Sequence, residues 1–202
     1  YIGPPGSGKT MAAKRIPTIL PALTLQESVE LSKVYSIAGL LPAGEALITK
    51  RPFRNPHHTM SAVSLVGGGR TPKPGEISLA GKGILFLDEL PEFQRETLEI
   101  LRQPLEDRRV VISRVYGTYT YPADFQLICA MNPCKCGYYP DRTKCRCSES
   151  EIRRYLGRIS KPLLDRIDIC VETPQVEYED LVKKNKEEGS ASIRARVEKA
   201  ME

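Results

Sequence analysis

The chain has 202 residues, of which 41 % are hydrophobic and 27 % are charged, and its net charge is +5. These fractions are typical of a globular domain large enough to bury a core, and we find no repeat, low-complexity tract, signal-peptide pattern or bilayer-length apolar run. The charge permits a polyanionic partner, although a solvated surface of mixed charge explains it equally well. We expect the sequence to open in the last stub of a strand, at Tyr1-Ile2, and to close in an unfinished helix at 190–202.

Segments typical of strands and of helices alternate along the first half of the chain. Thr24 with Glu27 forms a capping-box pattern, which predicts the start of a helix that Gly39 ends. A wholly apolar run at 84–87 predicts a short buried strand of a parallel sheet. In chain order we predict a strand stub at 1–2, a helix from about residue 9 to Pro17 and Pro21, a helix at 24–39, an extended segment at 51–57, a glycine break at 67–69 and the strand at 84–87.

The second half continues this alternation, which predicts an α/β fold with a parallel sheet flanked by helices. Ser148 with Glu151 forms a second capping-box pattern. In chain order we predict a helix with Leu98, Leu101 and Leu105 on one face, a hairpin of 110–113 with 118–121, a strand at 125–131, a helix from 148 with a stripe of Ile152, Tyr155, Leu156, Ile159 and Leu163, a strand at 167–171, and a hinge at 189–190 before the last helix.

The first motif that carries chemistry is GPPGSGKT, which matches the phosphate-loop pattern throughout. Its glycines allow backbone N–H groups to surround phosphate oxygens at the start of a helix. We expect the lysine to reach the β- and γ-phosphates and the threonine hydroxyl to ligate Mg²⁺. The predicted nucleotide-binding residues are Gly3, Pro4, Pro5, Gly6, Ser7, Gly8, Lys9 and Thr10.

Polar side chains follow two of the predicted strands. In ILFLDEL, the strand at 84–87 places Asp88 and Glu89 at its carboxyl end, where open α/β sheets bind ligands. We expect Asp88 to hold Mg²⁺ and Glu89 to orient the attacking water. Asn132 follows the strand at 125–131, where its amide could bind the γ-phosphate or that water, although Asn-Pro is also a good turn.

Four of the six cysteines cluster in one segment as two C-x-C pairs, Cys134, Cys136, Cys145 and Cys147. Because a chain with phosphate-handling motifs belongs in the cytosol, where disulfides are rare, we interpret the cluster as a structural Zn²⁺ site or as four reduced thiols. Cys129 and Cys170 stand alone in apolar runs. His57 and His58 could join a polar network near a nucleotide, but we favour a structural role for them.

Together these blocks resemble the ATPase module of the ComM/YifB family, which are bacterial magnesium-chelatase-like AAA+ proteins. The resemblance covers essentially the whole chain and rests on the segments GPPGSGKT, RPFRNPHHTMS, GEISLAGKGILFLDELPEF, EDRRVVISR, AMNPCKCGYY and RISKPLLDRIDICVE. It implies an AAA+ P-loop NTPase, an αβα sandwich with a parallel sheet, a helix-two insert and a β-hairpin before the sensor-one strand. It also implies a homo-hexamer with ATP bound between subunits.

The resemblance assigns roles to further residues. Asn132 takes the sensor-one role, and Arg166 becomes an arginine finger for a neighbouring subunit, unless it forms an ion pair with Asp165 or Asp168. The insert around 65–82 and the hairpin at 110–123 face the central pore in ring motors of this kind. Their basic residues are then candidate DNA-phosphate contacts or solvated loop charges, and these residues are Arg70, Lys73 and Arg114.

The implied function is a Mg²⁺-dependent ATPase in the cytoplasm, forming a ring motor that remodels DNA, as in branch migration during natural transformation or recombination. Two alternatives stay open: an ATPase chaperone subunit that inserts metal into a porphyrin, and a slow ATPase that acts as an assembly switch. We expect residues 1–175 to form the nucleotide-binding core and 176–202 to lead into a helical lid, in which Arg194 is a weak candidate for a second arginine sensor. We expect no membrane partner.

Overall fold

A computed structural model of the protein describes residues 1–115, 117–175 and 188–201. The strands are β1 (Phe53–Arg54), β2 (Gly67–Gly68), β3 (Lys73–Pro74), β4 (Ile84–Leu87), β5 (Arg109–Arg114), β6 (Gly117–Pro122) and β7 (Gln126–Cys129). The α-helices are α1 (Lys9–Arg15), α2 (Leu25–Ala38), α3 (Ala62–Val66), α4 (Glu76–Leu79), α5 (Arg95–Glu99), α6 (Arg102–Asp107), α7 (Glu149–Leu156), α8 (Lys161–Leu164) and α9 (Ser190–Met201). Short 3₁₀ turns span Ile16–Thr18 and Leu90–Glu92.

A parallel sheet in the order β1-β4-β7 forms the centre of the fold, as predicted. All four residues of β4 pair with β7, in a register that sets Ile84 against Gln126. Ile2 extends the sheet through isolated parallel bridges to Met131 and to Glu172. Because these segments run in the same direction, the residues that follow Ile2, β4 and β7 meet at one edge of the sheet.

The two faces of β4 support two separate apolar layers, since successive side chains of a strand point to opposite faces. Leu85 and Leu87 belong to the larger cluster, which includes side chains of α5, α7 and α8. Ile84 and Phe86 pack with Ala13 of α1 in a smaller cluster. The sheet therefore lies between helices, which is the αβα arrangement of an AAA+ domain.

The two predicted capping boxes mark the starts of α2 and α7 correctly. Thr24 caps α2 by accepting the Glu27 N–H at 3.2 Å, while the Glu27 carboxylate accepts the Thr24 N–H at 2.9 Å. Gly39 then ends α2 in the left-handed region, with φ 75°. Ser148 and Glu151 form the same reciprocal cap at α7. Both capping boxes are confirmed, because each depends only on residues three positions apart.

The two long helical stripes are each broken into two helices, contrary to prediction. Leu98 and Leu101 are buried as expected, but α5 ends before α6 begins at Arg102. Pro104 has no N–H to donate to the carbonyl four residues earlier, which accounts for a break near Ile100. The stripe from Ile152 to Leu163 is likewise interrupted at 157–160, and Leu156 is exposed, although its other four members are buried: Ile152, Tyr155, Ile159 and Leu163.

The predicted strand at 167–171 does not form. The chain pairs with the sheet only just after this segment, where Ile2 bridges Glu172, next to a hydrogen bond from the Ile2 N–H to the Val171 carbonyl. In the parallel register of that bridge, the residues that would pair with 167–170 precede Tyr1 and lie outside the sequence described. Ile169 is 76 % exposed, so the apolar run that suggested a strand is not a buried one.

Two short hairpins project from the sheet. The predicted hairpin is confirmed as β5 paired with β6, with Arg109 opposite Pro122. The segment expected as the helix-two insert contains α3 and the small hairpin of β2 with β3. Most of the connection expected at 176–189 lies outside the described residues. Within the described ranges, no helix is both long and apolar enough to cross a membrane.

Candidate functional site

The phosphate loop joins Ile2 to α1 at the carboxyl edge of the sheet. Gly6 and Gly8 both have φ 78°, a left-handed conformation that glycine adopts without strain. Gly8 precedes α1 without any side-chain cap, so the first N–H groups of the helix remain available to an anion. A Cβ on Gly3 would lie 2.1 Å from the Thr173 hydroxyl, so this position has no room for a side chain.

Lys9 lies inside the loop rather than on its surface. Its ammonium donates to the carbonyls of Gly3 at 2.7 Å and Pro4 at 2.8 Å, and to Asn132 Oδ1 at 3.2 Å. Burial lowers the pKa of Lys9, and the charge of Asp88 partly offsets this effect. The structure thus brings together Lys9 and Asn132, which are 123 positions apart in the chain.

Thr10 and Asp88 supply two oxygen atoms to the same point. The Thr10 hydroxyl donates to Asp88 Oδ2 at 2.7 Å, and Asp88 Oδ1 accepts the Glu89 N–H at 3.0 Å. A hydroxyl and a carboxylate at the start of α1 and the end of β4 are ligands that suit Mg²⁺ beside nucleotide phosphates. The predicted magnesium pair is therefore adjacent in the fold.

Glu89 faces outward from the edge of the sheet. It has φ 52°, and its side chain is 61 % exposed, which leaves the carboxylate open to water. Glu89 Oε2 lies 3.1 Å from His58 Nδ1, and the His58 ring meets Phe93 edge-on. Of the two roles considered for the histidines, the structure favours the polar network for His58; its proximity to Glu89 was not predicted.

Thr173 is a second residue at the site that the sequence did not reveal. Its hydroxyl lies 2.9 Å from that of Ser7, and its N–H donates to the Ile2 carbonyl at 2.8 Å. It directly follows the segment RISKPLLDRIDICVE, but nothing in that segment predicts a contact with the phosphate loop, so only the sheet topology could have located it. Thr173 fixes the base of the phosphate loop.

Arg166 is held within its own chain, but not by the expected partners. Its guanidinium forms an ion pair with Glu106 of α6 and donates to the Pro162 carbonyl at 2.5 Å. The alternative that named Asp165 or Asp168 as its partner is therefore wrong, because α6 packs close enough to supply Glu106 instead. Arg194 similarly donates to the Thr18 carbonyl, at 2.6 Å from its Nη2 atom.

The predicted DNA-contacting residues lie on the two hairpins. Lys73 is exposed on β3, and Arg70 is exposed in the turn that precedes it. Arg114, at the end of β5, reaches the other hairpin, since a Cβ on Gly68 would lie 3.0 Å from its Nη2 atom. The hairpins therefore touch, and their basic residues share one exposed region.

The four clustered cysteines converge on one point. Their sulfur atoms all lie within 4.8 Å of one another, and Cys134 Sγ lies 3.3 Å from Cys136 Sγ and 3.7 Å from Cys145 Sγ. Thiolates at about 2.3 Å from a tetrahedral Zn²⁺ would be about 3.8 Å apart, so the set fits that ion with small adjustments. These separations are too long for disulfides, whose S–S bond is about 2.05 Å.

The cysteine cluster also has the surroundings of a ligand set. Cys134 and Cys145 are buried against Ile152 of α7, and the Tyr139 N–H donates to Cys134 Sγ at 3.4 Å. A hydrogen bond from the Tyr138 backbone is the main cause that lowers the pKa of Cys136 to about 6, while burial raises the pKa of Cys145 to about 11. A cation would favour loss of the remaining thiol protons.

Comparison with known proteins identifies the family to which the chain belongs. Residues 1–181 match the family described as magnesium chelatase, subunit ChlI. The chain is 47 % identical over 197 residues to the uncharacterized protein YifB of Salmonella typhimurium, covering 97 % of this chain and 38 % of that protein. It is also 47 % identical over 206 residues to the competence protein ComM of Haemophilus influenzae, covering 100 % of this chain and 40 % of that protein.

The chain thus spans about two-fifths of the length of these relatives. Among solved structures, NtrX of Brucella abortus in complex with ATP superposes with a TM-score of 0.51 at 23 % identity, over 86 % of this chain and 32 % of that one. This likeness shows the AAA+ fold alone. From the family match and the identities to YifB and ComM, the chain belongs to the family of the magnesium chelatase subunit ChlI.

Proposed function

We propose that this domain binds Mg²⁺–ATP and hydrolyses it to ADP and phosphate. The observation that carries the proposal is the convergence of Lys9, the Thr10–Asp88 pair, Glu89 and Asn132 at one edge of the parallel sheet. These groups come from three separate segments, and each has the chemistry that phosphoryl transfer to water requires.

Some of these residues would bind the nucleotide and its Mg²⁺, and others would act in hydrolysis. The loop N–H groups and Lys9 hold the phosphates, while Thr10 and Asp88 would hold Mg²⁺, which neutralises charge on the phosphate oxygens when bound. Glu89 orients and polarises the attacking water, and its exposed carboxylate is accessible to that water. Asn132 would bind the γ-phosphate or the same water, and its hydrogen bond with Lys9 supports this role.

We further propose that the whole protein assembles as a hexamer, in which Arg166 acts on ATP bound by the neighbouring subunit. An arginine finger stabilises charge in the transition state and is worth about 10³-fold or more in rate. Within its own chain Arg166 is held by Glu106, so this role requires the subunit contact to release it or to bring the neighbour's phosphate to it.

The substrate that we propose for the assembled motor is DNA. Two observations support this: Arg70, Lys73 and Arg114 share one exposed region on two touching hairpins, and one relative at 47 % identity is named a competence protein. Metal insertion into a porphyrin is the competing function because of the family's name. The name of ComM, a competence protein at 47 % identity, favours the DNA motor.

The decisive experiment measures ATP turnover of the full-length protein with and without branched or single-stranded DNA, with Glu89→Gln as the control for contaminating ATPase. Stimulation by DNA is the expected result, and it should weaken when Arg70, Lys73 and Arg114 are replaced by glutamine. ATP turnover that DNA leaves unchanged would favour the assembly switch. Turnover coupled only to a porphyrin and its metal would favour the chelatase function.

We call residues 134–147, which carry the four clustered cysteines, the cysteine loop, and the cofactor that we propose for it is one structural Zn²⁺. The separations between the four sulfur atoms and the burial of Cys134 and Cys145 support it. Metal analysis of protein purified without chelator should find about one equivalent of zinc, and Cys145→Ser should lose most of it. Zinc-free protein in which all four thiols titrate freely would refute the assignment.

A further inference from the structure

The cysteine loop rests directly on the phosphate loop. Gly137 closes the first turn of the cysteine loop by donating its N–H to the Cys134 carbonyl at 3.0 Å. A Cβ on Gly137 would lie 2.5 Å from Cδ and 2.8 Å from Cγ of Pro5. The backbone of this buried glycine therefore lies against the proline ring without space between them. A turn that carries two of the four thiols is thus in van der Waals contact with the nucleotide site.

The same segment contacts the phosphate loop at two further points. The Gly3 N–H donates to the Met131 carbonyl at 3.2 Å, and Lys9 donates to Asn132 Oδ1. Cys134 is only two residues beyond Asn132. Residues 131–137 therefore form one continuous support that runs from the sheet, past the buried lysine, to the proline of the loop.

Beyond its contacts with the phosphate loop, this support has no regular secondary structure to hold it in place. Between Met131 and Ser148 the chain forms no helix or strand, and its small core consists of cysteines packed with Tyr139 and Ile152. Ordering one residue of backbone costs about 1–2 kcal/mol, so a loop of this length needs strong fixed points. Four bonds to one metal ion provide them, whereas without the ion the loop keeps a small apolar core, its turn hydrogen bonds and the exposed ion pair of Arg142 with Glu149.

We propose that the metal-bound cysteine loop is a positioning element of the nucleotide site, in which metal occupancy fixes Gly137 against Pro5 and Asn132 against Lys9. This inference rests on the proposed binding of zinc and of Mg²⁺–ATP. The inference is that binding of zinc and binding of nucleotide are coupled. When zinc is bound, the cysteine loop keeps the phosphate loop ordered for nucleotide. When nucleotide is bound, the phosphate loop in turn stabilises the surface against which the cysteine loop packs.

Such coupling must be reciprocal. If zinc raises the affinity for nucleotide by some factor, the nucleotide raises the affinity for zinc by the same factor. A zinc ion that stabilises only its own loop would leave both affinities independent. The reciprocal change therefore separates a positioning role from a purely local structural role.

The test uses the full-length protein under reducing conditions. Calorimetry measures the affinity of zinc-loaded and zinc-depleted protein for a non-hydrolysable ATP analogue with Mg²⁺. Competition with a zinc-binding dye measures zinc affinity with and without that analogue. We expect both affinities to change by the same factor, about 10-fold, within the usual range of coupling. Protein that binds both zinc and nucleotide, but changes neither affinity by more than about 2-fold, overturns the inference.

Two variants locate the coupling. Gly137→Ala inserts a methyl group against the Pro5 ring at a left-handed φ of 89° and leaves all four thiols in place. We expect it to keep one zinc but to lose most of the coupling. Lys135→Ala, in the same turn with its side chain exposed, should keep both. Coupling retained in Gly137→Ala would overturn the route through Pro5.

The proposed function and this inference fail in different ways. Absence of bound zinc contradicts the zinc assignment, and absence of nucleotide binding contradicts the ATPase assignment. Only protein that binds both ligands independently contradicts the coupling. The measurement on unmodified protein does not depend on either variant folding.

Discussion

Replacing Thr10 by valine tests the magnesium site with little change of shape. Valine keeps the branched side chain and removes only the hydroxyl that donates to Asp88 Oδ2 at 2.7 Å. A hydrogen bond to a charged group contributes about 1.5–3 kcal/mol to stability. Because Thr10 is half-exposed and Asp88 also accepts the Glu89 N–H, water can partly replace it. We therefore expect the variant to lose only about 1 kcal/mol of unfolding free energy.

The effect on nucleotide binding should be larger and should depend on magnesium. Loss of one Mg²⁺ ligand at a cost of about 2 kcal/mol weakens binding of Mg²⁺–ATP by about 30-fold. In excess EDTA the hydroxyl has no metal to bind, so Thr10→Val and the unmodified protein should bind ATP alike. Thr10→Ser keeps the hydroxyl and should behave nearly as the unmodified protein does.

Isothermal calorimetry with and without Mg²⁺ measures both quantities. An equal loss of affinity in the presence and absence of Mg²⁺ would mean that Thr10 contacts the phosphates or shapes the loop instead. Unchanged affinity in both conditions would mean that Thr10 and Asp88 do not form the magnesium site. Either result would refute the reasoning from the Thr10–Asp88 contact.

Three further predictions address chemistry, assembly and packing. Glu89→Gln should retain Mg²⁺–ATP binding but hydrolyse ATP at least about 10²-fold more slowly, measured by phosphate release; normal turnover would exclude Glu89 as the water-orienting residue. Arg166→Ala should also bind ATP without hydrolysis, and mixing it with Glu89→Gln subunits should restore some turnover; mixed rings without activity would contradict the finger. Burial raises the pKa of Tyr155 to about 12, so its stabilisation is present below pH 10 and is lost as pH rises through 12. Tyr155→Phe should reduce that alkaline loss of stability in chemical denaturation, and an unchanged pH profile would contradict it.

Elements that depend on near neighbours in sequence were predictable. The strand at 84–87 and both capping boxes agree with the structure, because an apolar run and an S/T-x-x-E pattern act within a few residues. The strand expected at 167–171 is not paired, because in the register of the Ile2–Glu172 bridge its partner residues precede Tyr1, outside the sequence described. Periodicity alone could not locate the breaks between α5 and α6 or between α7 and α8.

The residues of the candidate site also fall into those that the sequence predicted and those that it did not. Lys9, Thr10, Asp88 and Asn132 could be predicted to converge, since each is placed by a motif or follows a strand of one parallel sheet. The sequence offered a place near the nucleotide for His58 only as one alternative, and it did not predict the contacts of Thr173 and Gly137. Each contacts the site through a segment whose path depends on tertiary packing, which the sequence motif around it does not specify.

The residues that we assign to nucleotide binding and the arginine that we assign to hydrolysis differ in their surroundings. Every group that we assign to phosphate or Mg²⁺ binding is in contact with another member of the site within a single chain, such as Lys9 with Asn132 and Thr10 with Asp88. Arg166 is different, since its charge is already paired with Glu106. A guanidinium paired in this way contributes little to a distant phosphate until the contact is exchanged. If Arg166 acts as the proposed finger, an isolated domain should therefore bind nucleotide well and hydrolyse it slowly. Full turnover should then depend on protein concentration, because assembly would bring in the neighbour's Arg166.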